Sequence, residues 1–179
     1  MRYYLGLDCS TSRLGYALLS AKDGEVVTIG SIDLKECETI SEKISRVVSF
    51  LDGFVIWEQT AVGIEAPLAG FKNGFTTAQT IAKLQQIAGA LCYAVFTKTE
   101  REPSLIAARS ARATLGIKSS GGRDKAKEAA IAYATAAGVK FETKAVLKGK
   151  MAGTVCWIAG TDDAADAFVI ARSLLLQAG

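Results

Sequence analysis

Residues 2–20, RYYLGLDCSTSRLGYALLS, constrain the chain more than any other stretch. Tyr4, Leu5 and Leu7 precede a polar Cys9-Ser10-Thr11-Ser12 segment, and Leu14, Tyr16, Ala17, Leu18 and Leu19 follow it. Apolar and aromatic runs around such a segment predict two strands joined by a short turn. Asp8 ends the first run. In a strand covered on both faces, a carboxylate is costly unless it meets a cation, backbone N–H donors or water. The other acids of the chain are therefore read for what they bring to Asp8.

With 179 residues, half of them hydrophobic, the chain is long enough to bury a core and is expected to form one domain over residues 1–179. No apolar run is long enough to cross a bilayer, and residues 1–20 lack the basic and apolar regions of a signal peptide. The expectation is a cytoplasmic protein without a membrane partner. Cys9, Cys37, Cys92 and Cys156 are scattered, with no C-x-x-C pair, so neither a zinc knuckle nor a disulfide framework is indicated. The chain has no histidine, which removes Ser–His–Asp and Cys–His mechanisms and ordinary zinc sites. Catalysis would have to come from carboxylates, lysines, hydroxyls, a thiol or a hard cation.

Net charge is only +3, but its distribution is uneven. Between residues 98 and 127, Lys98, Arg101, Arg109, Arg112, Lys118, Arg123, Lys125 and Lys127 face only Glu100, Glu102 and Asp124. Between residues 140 and 150, four lysines face Glu142 alone. A basic stripe beside an acidic cluster suits a protein that grips a polyanion and works on it through metal; a solvated charged face is the plainer reading.

Taken in order, residues 24–34 predict a third strand, closing an antiparallel meander. Residues 39–51 place Ile40, Ile44, Val47, Val48 and Leu51 at helical spacing, with Thr39 or Ser41 as N-cap. Residues 54–57 are ambiguous between a helix end and a short strand. Residues 61–65 read as a buried strand that also ends on an acid, Glu65. Adjacent strands lie about 4.8 Å apart. If the first and fourth strands are neighbours, Asp8 and Glu65 reach one ion.

Residues 66–76 form a glycine-hinged loop carrying Phe71, Lys72 and Phe75, side chains able to insert between bases or to tuck onto the core. Thr76 or Thr77 caps a helix to about residue 97, apolar nearly all round from Ile87 to Phe96, as in a buried or interface helix. Residues 104–106 predict a strand, and residues 107–115 a helix with Arg109 and Arg112 on one face. A Ser-Ser-Gly-Gly linker leads to a helix over residues 123–137. Lys125 and Lys127 in its first turns oppose the helix dipole, which makes better sense if a phosphate docks there. Residues 139–158 hold two β-like runs around Lys148-Gly149-Lys150. The last helix, residues 161–176, has Thr161 as expected N-cap and an apolar face of Ala164, Ala165, Phe168, Val169, Leu175 and Leu176. Asp163 and Asp166 share another face, with Asp162 four residues from Asp166; acids there also suit the dipole.

The ordered set Asp8, Glu65, Asp163, Asp166 resembles the RuvC-like Holliday-junction resolvases of the RNase H-like nuclease superfamily. The resemblance rests on GLDCSTSRLGYA, on GIEAP with its glycine and aromatic loop, on ARSARATLG followed by GGRDKAK, and on DDAADAFVIA. It covers the chain except residues 139–160, which look longer than in the bacterial enzymes. It implies a three-layer α/β fold with a mixed five-stranded sheet flanked by helices. It further implies a homodimer with two active sites, each with two Mg²⁺ or Mn²⁺ ions held by Asp8, Glu65, Asp163 and Asp166. Lys125 matches a catalytically important lysine of the family, Arg112 another basic residue, and the loop after Glu65 falls where the family has an aromatic that stacks at the junction centre, a role open to Leu68, Phe71 or Phe75. Arg109, Lys118, Arg123 and Lys127 complete the expected DNA-binding surface.

Carboxylates are hard oxygen donors, suited to such cations. The chemistry implied is in-line hydrolysis of a phosphodiester, leaving a 5′-phosphate, with Lys125 stabilising charge on the scissile phosphate. Three other readings compete. An actin-like ATPase opens with a similar strand–turn–strand, but 179 residues are too few for its two lobes. A non-catalytic DNA-binding module would not need four clustered acids, which repel one another. A flap-, branch- or hybrid-selective nuclease would keep the chemistry and change the substrate.

Overall fold

The computed structural model describes residues 1–67, 77–118, 121–145 and 154–178. Five strands form one mixed sheet in the order β3-β2-β1-β4-β5. β1 (Tyr3–Cys9), β2 (Arg13–Ser20) and β3 (Val26–Asp33) are the expected antiparallel meander. β4 (Thr60–Glu65) runs parallel to β1, and β5 (Ser104–Ile106) runs parallel to β4. The helices are α1 (Ile40–Leu51), α2 (Ala78–Thr99), α3 (Ala108–Thr114), α4 (Arg123–Ala136) and α5 (Thr161–Gln177). Between α4 and α5, β6 (Thr143–Ala145) and β7 (Val155–Trp157) pair as a separate antiparallel ribbon. Among the described residues, no helix is long and apolar enough to cross a membrane.

Helices cover both faces of the sheet, giving three layers. Strand residues alternate between the two cores, as the pleat requires. Leu5, Leu7, Leu14, Leu18 and Ile64 pack with Val47, Leu51, Leu91 and Val95 of α1 and α2. Tyr4, Ala17 and Leu19 pack on the opposite face with Phe168, Val169 and Ile170 of α5 and with Ala130 and Ala134 of α4. Burial on both sides is why β1 and β2 read as nearly unbroken apolar runs. Each fully buried leucine here contributes about 1.5–3 kcal/mol of hydrophobic stabilisation.

Local signals decide several boundaries. Thr39 caps α1: its hydroxyl accepts from the Glu42 N–H (3.2 Å), and the Glu42 carboxylate accepts from the Thr39 N–H (3.1 Å). This reciprocal box selects Thr39 over Ser41. Thr77 caps α2 through the Thr80 N–H (3.2 Å). The ambiguous segment before β4 is neither helix end nor strand but a turn followed by a single 3-10 turn at Trp57–Gln59. α2 is apolar nearly all round from Ile87 to Phe96 but buried on one side only. Ile87, Ala88, Leu91 and Val95 are buried, while Gly89, Tyr93 and Phe96 face outward.

α5 differs from expectation in two ways. Its N-cap is Gly160, at φ +92°, and Thr161 is instead its buried first residue. It is also buried nearly all round, through Ala167, Ile170, Ala171 and Leu174 as well as the expected face, while Leu176 is exposed. The cause lies in the sheet. A Cβ on Gly6 would stand 2.1 Å from the Ala167 carbonyl oxygen and 2.5 Å from the Ala171 nitrogen. A Cβ on Gly15 would stand 2.0 Å from the Asp163 carbonyl oxygen. The α5 backbone therefore lies directly on β1 and β2.

Gly6→Ala is expected to push α5 off the sheet and destabilise the protein by about 1–3 kcal/mol, the usual scale of overpacking. Thermal melting checks this, with about 2–4 °C lost per kcal/mol in a chain of this size.

Candidate active site

β1 and β4 are parallel neighbours in the register Leu7↔Ile64, so Asp8 and Glu65 follow side by side at the same end of the sheet. The two side chains are within hydrogen-bonding reach of each other. Burial pushes the Asp8 carboxyl well above the usual carboxylate range, and the bond to Glu65 and the charges of Glu65, Asp166 and Asp163 push it the same way. α5, seated on Gly6 and Gly15, carries Asp163 and Asp166 over this end. The four acids expected from the sequence thus come from three separate elements and share one neighbourhood.

The two helix acids are compensated differently from the two strand acids. Arg112 of α3 donates from Nη2 to Asp166 Oδ1 at 2.8 Å, and both side chains are almost buried. Burial raises the Asp166 carboxyl, and this bond to Arg112 opposes the rise. Arg13 of β2 places Nε 3.8 Å from Asp163 Oδ2. Burial and the Asp162 charge raise Asp163, against Lys127, Arg13 and Arg123. Asp162 forms an ion pair with Lys127. Burial alone would raise its carboxyl, but the Lys127 bond and charge outweigh that and hold it below the usual range. Among the described residues, no three acid or cysteine side chains already converge as a cation cage.

The basic residues divide into two groups. Arg112 and Lys127 are turned into the protein and paired, whereas Arg109, Lys118, Arg123 and Lys125 are exposed. Arg109 and Arg112 therefore do not act as one outward face. Lys125, in the first turn of α4, folds across Gly121, where an added Cβ would stand 2.4 Å from the Lys125 Cδ. Gly121 (φ +118°) thus leaves the space that Lys125 uses. Phe71, Lys72 and Phe75 lie outside the described residues. Cys9 borders Asp8, but burial pushes its thiol up to about 12, so it is no nucleophile at neutral pH.

Sequence reasoning missed Arg13 and its second partner Asp33, which accepts from Arg13 Nη2 at 3.0 Å. The available signal was an arginine opening a strand otherwise filled with apolar residues.

The sheet order, with helices on both faces, is the RuvC/RNase H-like α/β fold. Solved structures place the chain within that fold over nearly its whole length. Thermus thermophilus RuvC in complex with Holliday junction substrate aligns with 99% of this chain and 95% of its own, at 16% identity and a TM-score of 0.63. A second Thermus thermophilus RuvC structure aligns with 98% and 96%, at 10% identity and a TM-score of 0.59. The yeast mitochondrial Holliday junction resolvase Ydc2 aligns with 96% of this chain and 77% of its own, at 14% identity and a TM-score of 0.55. At these identities the likeness is one of fold. No protein-family model and no curated protein matches the sequence.

The unequal compensation has opposite consequences for two variants of the metal-free protein. Asp8→Asn replaces a carboxyl whose ionisation is disfavoured by burial and by the neighbouring acids, and keeps a donor for Glu65, so it is expected to raise the melting temperature by a few degrees, about 1 kcal/mol. Arg112→Ala leaves Asp166 beside Glu65 without its counter-charge, and is expected to cost about 1–3 kcal/mol. Differential scanning calorimetry in chelator reads both signs.

Proposed function

We propose that this chain is a divalent-metal-dependent DNA endonuclease that resolves four-way junctions, leaving 5′-phosphates. One observation carries the reading: acids from β1, β4 and α5 gather at one sheet end of a fold that RuvC shares over 99% of this chain. The donor set fits a hard divalent cation. It consists of carboxylates alone, and Asp8 is held in a state that a bound cation would relieve. Asp8, Glu65, Asp163 and Asp166 would hold Mg²⁺ or Mn²⁺. Bound there, such ions supply Lewis-acid activation of a water and charge stabilisation at phosphorus.

The remaining work falls to side chains of the chain itself. Lys125 presents its ammonium to the scissile phosphate, where charge accumulates in the transition state. Arg123, Arg109 and Lys118 bind flanking phosphates and fix the strand's position without reading its sequence. Arg112 and Lys127 contact DNA only after exchanging an internal partner, so they act first on the acids and on the α4–α5 packing. The loop bearing Phe71, Lys72 and Phe75 supplies the contact at the branch point. The outward face of α2, with Gly89, Tyr93 and Phe96, is the homodimer surface that would present two sites to one junction.

The test is cleavage of a synthetic four-way junction in Mg²⁺, beside a linear duplex, a flap and an RNA/DNA hybrid of matched sequence. Paired symmetric nicks in the junction are expected, and Asp166→Asn should reduce the rate more than roughly 100-fold while binding persists. Binding without cutting in both Mg²⁺ and Mn²⁺ would overturn the nuclease reading. Preference for flap or hybrid would keep the metal chemistry and remove the junction. Tyr93→Asp, at the proposed dimer surface, is expected to halve the mass seen by sedimentation and to turn paired nicks into single ones.

A further inference from the structure

Arg13 opens β2 directly after the turn that carries the chain out of β1. Its backbone is held there: its N–H donates to Ser10 Oγ (3.0 Å), and its carbonyl accepts from the Ser10 N–H (2.9 Å). Its side chain is only 12% exposed, so its charge is enclosed and needs close partners. Two carboxylates meet it. Asp33, ending β3, accepts from Nη2 at 3.0 Å, and Asp163 of α5 stands 3.8 Å from Nε.

The third wall is backbone. A Cβ on Gly160 would stand 2.0 Å from Ser31 Oγ and 2.5 Å from Arg13 Nη1. A side chain here would displace the Ser31 hydroxyl and the guanidinium, and the φ of +92°, which favours glycine, turns the chain straight into α5. The clamp that fixes Arg13 therefore also fixes the start of the helix bearing Asp163.

We infer that Arg13, anchored by Asp33 beneath Gly160, is a positioning residue that tethers Asp163 and limits how tightly this carboxylate can take a divalent cation. The inference rests on the reading of the four acids as a metal site. Arg13 divides its charge between two carboxylates, with the shorter contact to Asp33. Asp33 thereby draws the guanidinium away from Asp163 and leaves that acid loosely held and exchangeable. Removing Arg13 frees Asp163 and makes the site more negative, so a cation binds more tightly. Removing the charge of Asp33 leaves the guanidinium to Asp163 alone, so a cation binds less tightly. A merely structural role would weaken binding in both variants or change it in neither.

Calorimetric titration of the DNA-free protein with Mn²⁺ decides this without reference to activity. Arg13→Gln is expected to lower the dissociation constant about five- to tenfold, and Asp33→Asn to raise it by a similar factor, on the scale of one close charge pair. Arg13→Lys, which keeps the charge but not the fork that spans both acids, is expected to fall between wild type and Arg13→Gln, and it carries the test if the glutamine variant does not fold. Unchanged affinity in the variants, with clear binding by the wild type, overturns this inference and leaves the nuclease reading standing. No Mn²⁺ uptake by the wild type overturns the metal reading and this inference together.

Discussion

Helix α5 reaches its place because two strand positions carry no side chain. Gly6 and Gly15 let its backbone rest on β1 and β2, where even a methyl group would overlap main-chain atoms by more than an ångström. That contact sets the height of Asp163 and Asp166 above the end of the sheet. The parallel β1–β4 pair sets the lateral position of Asp8 and Glu65. Neither strand nor helix could assemble the acids alone. The burial of α5 on nearly every side makes its position rigid, which a site built from separate elements requires.

Gathering four carboxylates works against folding, and the protein offsets that repulsion unequally. The strand acids lie side by side, and burial together with Glu65 holds the Asp8 carboxyl above its usual range. The helix acids face arginines supplied by β2 and α3. Asp162 is paired with Lys127, an ion pair that also joins α4 to α5. Each compensating group lies on a different element from the acid it serves. The same contacts that keep the site from repelling itself therefore brace the three-layer packing.

Much of this was legible in one dimension. Strand-length apolar runs predicted β1, β2 and β4 because both faces of those strands are covered. The Thr39–Glu42 box and the helical spacing after it predicted α1. Asp8 and Glu65 stood out because an acid ending a buried strand is rare enough to demand a reason. Contacts between residues far apart in sequence were not legible. Arg13 and Asp163 are separated by 150 positions, and no local propensity reports their meeting. Thr161 looked like a cap because threonine often is one. The space over Arg13 instead selected glycine at 160 and buried the threonine. The outward direction of Tyr93 and Phe96 was likewise hidden, since an apolar helix reads the same whether protein or solvent lies beyond it.

A shared backbone at 10–16% identity does not by itself transfer chemistry. The argument for chemistry is energetic. A sheet end serving only as scaffold would be more stable with neutral or apolar residues at Asp8 and Asp166, because each buried carboxylate there pays for its own desolvation and for its neighbours' charge. Here that cost is carried by side chains from β1, β4 and α5, with two arginines enclosed beside them. Random surface placement would leave acids in water, where they cost almost nothing. Their joint enclosure is intelligible when something cationic belongs among them, and the exposed Lys125 and Arg123 at the start of α4 give the polyanion that such a site would act on a place to lie.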